Sequence, residues 1–202
     1  CCSSLAAWGS FGPWAATTRL STSIETTVCQ VSADYEPATS PYEHRVERSF
    51  AFIDLSGFTR YTDQQGDGAA VEVLTDFRSR VREIAARRGV RIAKWLGDGA
   101  MLVAVDPEPL TEAIVDMESA FEGAPLPLRA GLSSGPVILF EGDDYIGAAV
   151  NLAARLCTKA EPGEVLATAS MISSLMVNTE ATPIGDHAIQ GFANPVELVR
   201  LH

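Results

Sequence analysis

The sequence predicts an α+β domain built on an antiparallel sheet, and three observations carry that expectation. Short apolar runs with β-forming character recur at 49–53, 90–96, 100–105 and 128–133. A stretch with helical spacing lies between the first and second runs, and another lies between the third and fourth. The second and third runs are separated only by Gly97-Asp98-Gly99, a tight hairpin whose glycines permit positive φ. The resulting order, βαββαβ, is the split unit of a ferredoxin-like sheet, for which helices on one face are the economical arrangement.

At 202 residues the chain suits one well-buried domain plus an appendage. Apolar residues make up 47% and charged residues 20%, which is a globular balance. The net charge of −11 argues against a nucleic-acid partner, since phosphate-backbone binding relies on clustered Lys and Arg. Basic residues concentrate only at Arg78-Ser-Arg-Val-Arg82 and Arg87-Arg88, on one helix whose basic face reads as solvated. A nucleoside triphosphate would need a metal ion to bind such a chain. No apolar run approaches the roughly 18 to 20 residues of a membrane span. Cys1, Cys2, Cys29 and Cys157 lack zinc or disulfide spacing, which points to a reducing cytoplasm. His44, His187 and His202 fall in no metal or triad spacing and read as surface residues.

Residues 1–46 are rich in Ser, Thr and Ala, lack sustained periodicity and carry no Lys or Arg before Arg19. They do not fit a signal peptide and are expected to form a poorly ordered leader. The start at Cys1 rather than Met suggests a fragment boundary, and a lipid-modified Cys1 has nothing upstream to support it. The first strand, 49–53, ends at Asp54. A helical turn at 57–63 and a loop at 64–68 precede a helix from Ala69, in which Val71, Leu74, Phe77, Val81 and Ile84 repeat at three and four until Gly89 stops it. After the hairpin, Asp106-Pro-Glu-Pro109 breaks the chain before a helix at 110–121. Strands follow at 128–133 and 135–140. Glu141-Gly-Asp-Asp144 turns the chain into a helix at 148–159, which Pro162-Gly163 ends. A C-terminal α/β extension completes the prediction, with strands at 164–168, 188–190 and 196–201 and a helix at 170–177.

Asp98 sits at the hairpin apex, where taken alone it is an ordinary turn residue. The βαββαβ order, however, sets the end of the first strand beside that apex. Asp54 and Asp98 would then converge as a candidate metal pair. Lys94 lies four residues before Asp98, on the same nominal side of the strand, and alone it is equally a plain surface lysine. Asn151 and Arg155 are four apart and project from one face of a helix. On an Ala-rich helix, taken alone, both suit plain solvent exposure.

Three motifs in order, Phe52-Ile-Asp-Leu-Ser-Gly-Phe-Thr59, Lys94-Trp-Leu-Gly-Asp-Gly99 and Gly147-Ala-Ala-Val-Asn-Leu-Ala-Ala-Arg-Leu156, resemble the class III adenylate/guanylate cyclase catalytic domain over about residues 47–202. The resemblance implies a palm-type core. It implies that Asp54 and Asp98, with the backbone carbonyl of Leu55, hold two Mg²⁺ or Mn²⁺ ions per active site. It makes Lys94 the purine-reading lysine and Asp144, three residues before Gly147, its companion; Asp143 reads as a solvated turn residue, with the register open by one. Asn151 and Arg155 match the transition-state motif. One position departs from the family. A Leu-Lys-Gly-Phe type segment carries a triphosphate-binding lysine in many members, and this chain has Ile189-Gln190-Gly191-Phe192. Gln190 can hydrogen-bond phosphate but brings no charge. The stretch 135–147 is also too short for an extended dimer arm.

The resemblance implies an adenylate cyclase that converts ATP to 3′,5′-cyclic AMP and pyrophosphate, with 1–46 as leader and 47–202 as catalytic domain. It further implies a head-to-tail homodimer, in which Asp54 and Asp98 come from one chain and Lys94, Asp144, Asn151 and Arg155 from the other. The alternative is a catalytically impaired cyclase-homology domain acting as a regulatory dimerisation module, which Gln190 favours. A diguanylate cyclase is disfavoured because its Gly-Gly-Asp/Glu-Glu-Phe hairpin is absent.

Overall fold

Alternation along the first strand divides its residues between two faces, and the helices pack according to that division. The computed structural model describes residues 45–142, 144–173, 176–177 and 179–202. In it, β1 runs Arg45–Leu55. Ala51, Ile53 and Leu55 enter the main core with Phe77, Val81 and Ile84 of α1 (Phe58–Arg88) and Leu110, Ile114 and Met117 of α2 (Pro107–Ala120). Phe50 and Phe52 face the other way, toward Ala149 and Ala153 of α3 (Ala148–Lys159). Helices therefore cover both faces. The expectation of one covered face holds for α1 and α2 and fails for α3, because β1 carries apolar side chains at both parities.

The sheet order is β2-β3-β1-β4-β6-β8-β7. The strands β2 (Arg91–Leu96), β3 (Gly99–Ala104), β1 and β4 (Leu128–Phe140) pair antiparallel and form the predicted βαββαβ core. Strand β5 (Asp144–Ile146) pairs with the far half of β4. The C-terminal extension joins through a parallel pairing of β4 with β6 (Val165–Thr168). It continues antiparallel through β8 (Val196–Leu201) to β7 (Ala181–His187). Helix α3 lies hard against β4 at Gly131, where a Cβ would overlap the backbone of Ala153 and Cys157. Among the described residues, no helix is long and apolar enough to cross a membrane.

Several elements differ from the sequence expectation. The predicted loop at 64–68 collapses to a kink in α1 at Gly66, whose φ of 82° breaks an otherwise continuous helix. Helix α2 starts at Pro107, since proline suits the first helical turn. The strands expected at 128–133 and 135–140 are one, because β1 is long enough to pair with both: Gly135 pairs with Arg48. Asp144 is in a strand rather than a turn. The helix expected at 170–177 is replaced by a 3-10 turn, Ala169–Met171, and its described remainder is irregular. The strand expected at 188–190 lies earlier, at β7, so that Gln190 sits in the following turn.

The basic face of α1 is not merely solvated. Arg78 and Arg82 each stand 5.2 Å from the Trp95 ring centre, and Arg88 bonds Glu112 and Asp116 of α2 at 2.5 and 2.8 Å. His187 is half-buried, with Nε2 3.2 Å from the Ile184 carbonyl, and His202 is exposed. The expectations for residues 1–44, including Cys1, Cys2, Cys29 and His44, and those for Asp143, Ser174 and Leu175, fall outside the described residues.

Candidate active site

The end of β1 and the tip of the β2–β3 hairpin meet as the strand order requires. Asp54 pairs with Gly99, and the Leu55 amide donates to the Asp98 carbonyl at 3.2 Å. Gly99 allows this approach: a Cβ there would stand 2.5 Å from the Ile53 carbonyl oxygen and 3.3 Å from Asp54 Oδ1. Gly97, at φ 73°, makes the turn. The two carboxylates are near enough to repel. Burial pushes the Asp98 carboxyl above the usual carboxylate range, and the charge of Asp54 adds to the shift.

Arg129 answers that negative charge. It sits opposite Asp54 on β4, with Nε at 2.9 Å and Nη2 at 2.5 Å from Oδ2. Sequence reasoning missed this residue. The available signal was alternation, since Leu128, Ala130 and Leu132 enter the core and leave Arg129 on the opposite face, but its partner required the β1–β4 register. Asp54 and Arg129 line a recess of about 230 Å³ with Leu96, Gly99, Cys157 and Thr158. The Cys157 thiol is pushed up to about 12 by burial, with Asp54 adding, and so remains neutral at physiological pH.

These residues suit a hard divalent cation. Two neighbouring carboxylates, one resisting ionisation and the other already drawing a guanidinium to a single oxygen, form an oxygen-rich place where positive charge is stabilised. Among the described residues no three His, Cys, Asp or Glu side chains cluster.

Lys94 reaches the same sheet face through an irregularity. The β2–β3 register shifts between Ile92 and Lys94, which places Lys94 across from Met101, itself the partner of Phe52. Phe52 and Asp54 share a face, and the shift puts Lys94 on it while Trp95 still packs against the main core. Without the bulge, strict alternation from Ile92 would turn Lys94 to the core and Trp95 outward. Lys94 Nζ donates to Asp144 Oδ1, and both side chains are partly open to solvent. The structure thus joins two residues 50 positions apart in sequence.

Asn151 and Arg155 are exposed on the outer surface of α3, whose opposite surface buries Ala149, Leu152, Ala153 and Leu156. Arg155 lines a second recess, of about 190 Å³, with Thr158, Lys159 and the 188–190 turn. Ile189 anchors that turn among Leu152, Leu156 and Ala160, which sets exposed Gln190 at the recess. Thr158 borders both this recess and that of Asp54.

Comparisons with known proteins agree on one family. The model of the Adenylate and Guanylate cyclase catalytic domain matches residues 42–201. An uncharacterised protein of Mycobacterium tuberculosis is 37% identical over 153 residues, covering 75% of this chain and 40% of that protein. A pH-sensitive adenylate cyclase of the same species is 31% identical over 185 residues, covering 85% of this chain and 44% of that protein. The chain therefore spans less than half the length of these curated relatives. Among solved structures, the adenylyl cyclase CyaB from P. aeruginosa superposes with a TM-score of 0.70 at 25% identity, covering 79% of this chain and 95% of that one.

Proposed function

Since this chain belongs to the adenylate and guanylate cyclase catalytic domain family, we propose that residues 47–202 form an adenylate cyclase domain acting on ATP in the cytoplasm. The observation that carries the proposal is a double meeting: the Asp98 turn lies against the end of β1 at Asp54, and Lys94 bonds Asp144 across 50 positions of sequence. The ribose 3′-oxygen bonds to the α-phosphorus while the bond from that phosphorus to the β-bridging oxygen breaks. The 3′-hydroxyl proton passes to solvent, and pyrophosphate leaves with the electron pair. Because nucleophile and electrophile belong to one molecule, positioning and charge stabilisation are the main tasks.

Asp54, Asp98 and the Leu55 carbonyl are the proposed ligands of two Mg²⁺ or Mn²⁺ ions, which when bound acidify the attacking hydroxyl and neutralise phosphate charge. Lys94 and Asp144 hold the adenine edge: the ammonium donates to N1 and the carboxylate accepts from the 6-amino group. Asn151 orients the ribose. Arg155 stabilises the charge on the transferred phosphorus.

The exposure of Asn151 and Arg155 supports a site shared between two head-to-tail chains, as do the solvent-facing apolar side chains of Leu96 and Ile146, 48% and 54% exposed. Gln190, where a lysine is expected, favours a second reading: a regulatory dimerisation module without turnover.

Incubation of the purified chain with ATP and Mn²⁺ separates the two readings. Cyclic AMP formation supports the enzyme, and its absence from a folded, dimeric, metal-loaded chain supports the module. Mixing an Asp54→Ala chain with an Arg155→Ala chain tests the shared site. One intact composite site should restore part of the activity. A dead mixture with proven subunit exchange would place Asp54 and Arg155 in one chain, as their neighbouring recesses would then allow.

A further inference from the structure

The recess at the C-terminal end of α3 carries more positive charge than the catalytic assignment uses. Arg155 and Lys159 are four residues apart, lie on one helical surface, and both line it. Neither forms an ion pair among the described residues. The remaining lining is Thr158, Ala188, Ile189 and Gln190, so no carboxylate contributes to it. Two unneutralised cations beside an amide and a hydroxyl make an anion-selective surface, in a chain whose net charge is −11.

We propose that Lys159 is a substrate-binding residue that takes the terminal phosphates of the nucleotide, supplying from α3 the charge that Gln190 does not supply from the 188–190 turn. The inference rests on the nucleotide-cyclase reading, which provides the oligophosphate. Gln190 then serves as a neutral hydrogen-bonding partner, and the cation stands on the helix beneath it. Ile189, buried against Leu156 and Ala160, fixes the distance between turn and helix and keeps both polar groups on one recess. Lysine suits this role, since it meets phosphate as a mobile point charge and needs no fixed bidentate geometry. Lys159 is exposed, so its replacement leaves the core intact.

The test measures binding of inorganic tripolyphosphate to the full chain by titration calorimetry, in the absence of divalent metal, alongside KM and kcat for ATP with Mn²⁺. Lys159→Gln is expected to weaken tripolyphosphate binding about tenfold and to raise KM by a similar factor with kcat little changed. Gln190→Lys should restore both in the Lys159→Gln background while adding little to the parent, because the second cation would then be redundant. Unchanged binding and KM in Lys159→Gln, with cyclic AMP still formed, overturn the inference and leave the cyclase reading standing. Loss of tripolyphosphate binding in a chain that never forms a cyclic nucleotide has the opposite meaning: the recess holds oligophosphate and the cyclase reading fails.

Discussion

Arg129 places two guanidinium nitrogens on a single oxygen of Asp54, Nη2 at 2.5 Å and Nε at 2.9 Å, and so competes with any cation for that carboxylate. Both side chains are partly buried, which sets the pair between a negligible surface bridge and a costly interior one, at about 1 kcal/mol. Arg129→Gln is therefore expected to lower the melting temperature of the metal-free chain. Mn²⁺ should recover more of it than in the parent, because the competing cation has gone. Equal Mn²⁺-induced shifts in parent and variant would mean that Arg129 does not share Asp54 with a metal.

The raised pKa of Asp98 has a definite sign in stability. Burial makes the folded chain hold this proton more tightly than the unfolded chain does. The stability tied to it is thus present at low pH and is lost as pH rises from the ordinary carboxylate value, about 4, through the raised folded value. Asp98→Asn cannot ionise. In metal-free buffer, thermal melts should show this variant more stable than the parent at neutral pH, with the gap closing on acidification. A variant less stable than the parent at pH 7 would contradict this account. Mn²⁺ affinity of the parent should likewise begin to fall at a pH above the ordinary carboxylate range.

The proposed adenine contacts of Lys94 and Asp144 make a prediction about base selection. Guanine would turn O6 toward the carboxylate and its N1 hydrogen toward the ammonium. Two mismatched contacts, at about 1 to 3 kcal/mol each, give an expected preference for ATP over GTP on the order of a hundredfold in kcat/KM. Lys94→Glu with Asp144→Cys should move the preference toward GTP and leave Mn²⁺ binding unchanged. Equal rates with the two nucleotides in the parent would remove this pair from base reading.

Gly131→Ala tests the seat of α3. A methyl group there meets the backbone of Ala153 and Cys157, which no rotamer change can relieve, so the helix must shift. Destabilisation of about 2 to 3 kcal/mol is expected in denaturant unfolding. Turnover should fall further than stability alone explains, because Asn151 and Arg155 ride on that helix. Full activity in a folded Gly131→Ala chain would show that the position of α3 is not critical.

Local signals suggested the βαββαβ order and the meeting of Asp54 with Asp98, and the resemblance of three motifs to the cyclase catalytic domain is what made that core firm. Alternation, helical spacing and the Gly-Asp-Gly turn are short-range properties written into neighbouring residues, and the strand order then leaves few ways to close the sheet. The face covered by α3, the fusion of two predicted strands into β4 and the exchange of a predicted helix for a 3-10 turn all depended on which surfaces lay nearby, and no local window contains that information. The same holds for Arg129 and Lys159. As letters they are an arginine in a strand and a lysine at a helix end. Register across β1 and β4 set the first against Asp54, and the packing of Ile189 on α3 brought Gln190 to the recess that the second lines. The sequence by itself determined the order of the elements and, through three motifs, the candidate residues Asp54, Asp98, Lys94, Asn151 and Arg155. Tertiary structure decided which charges face each other, because that depends on strand register and helix seating, where a shift of one residue turns every side chain to the opposite face.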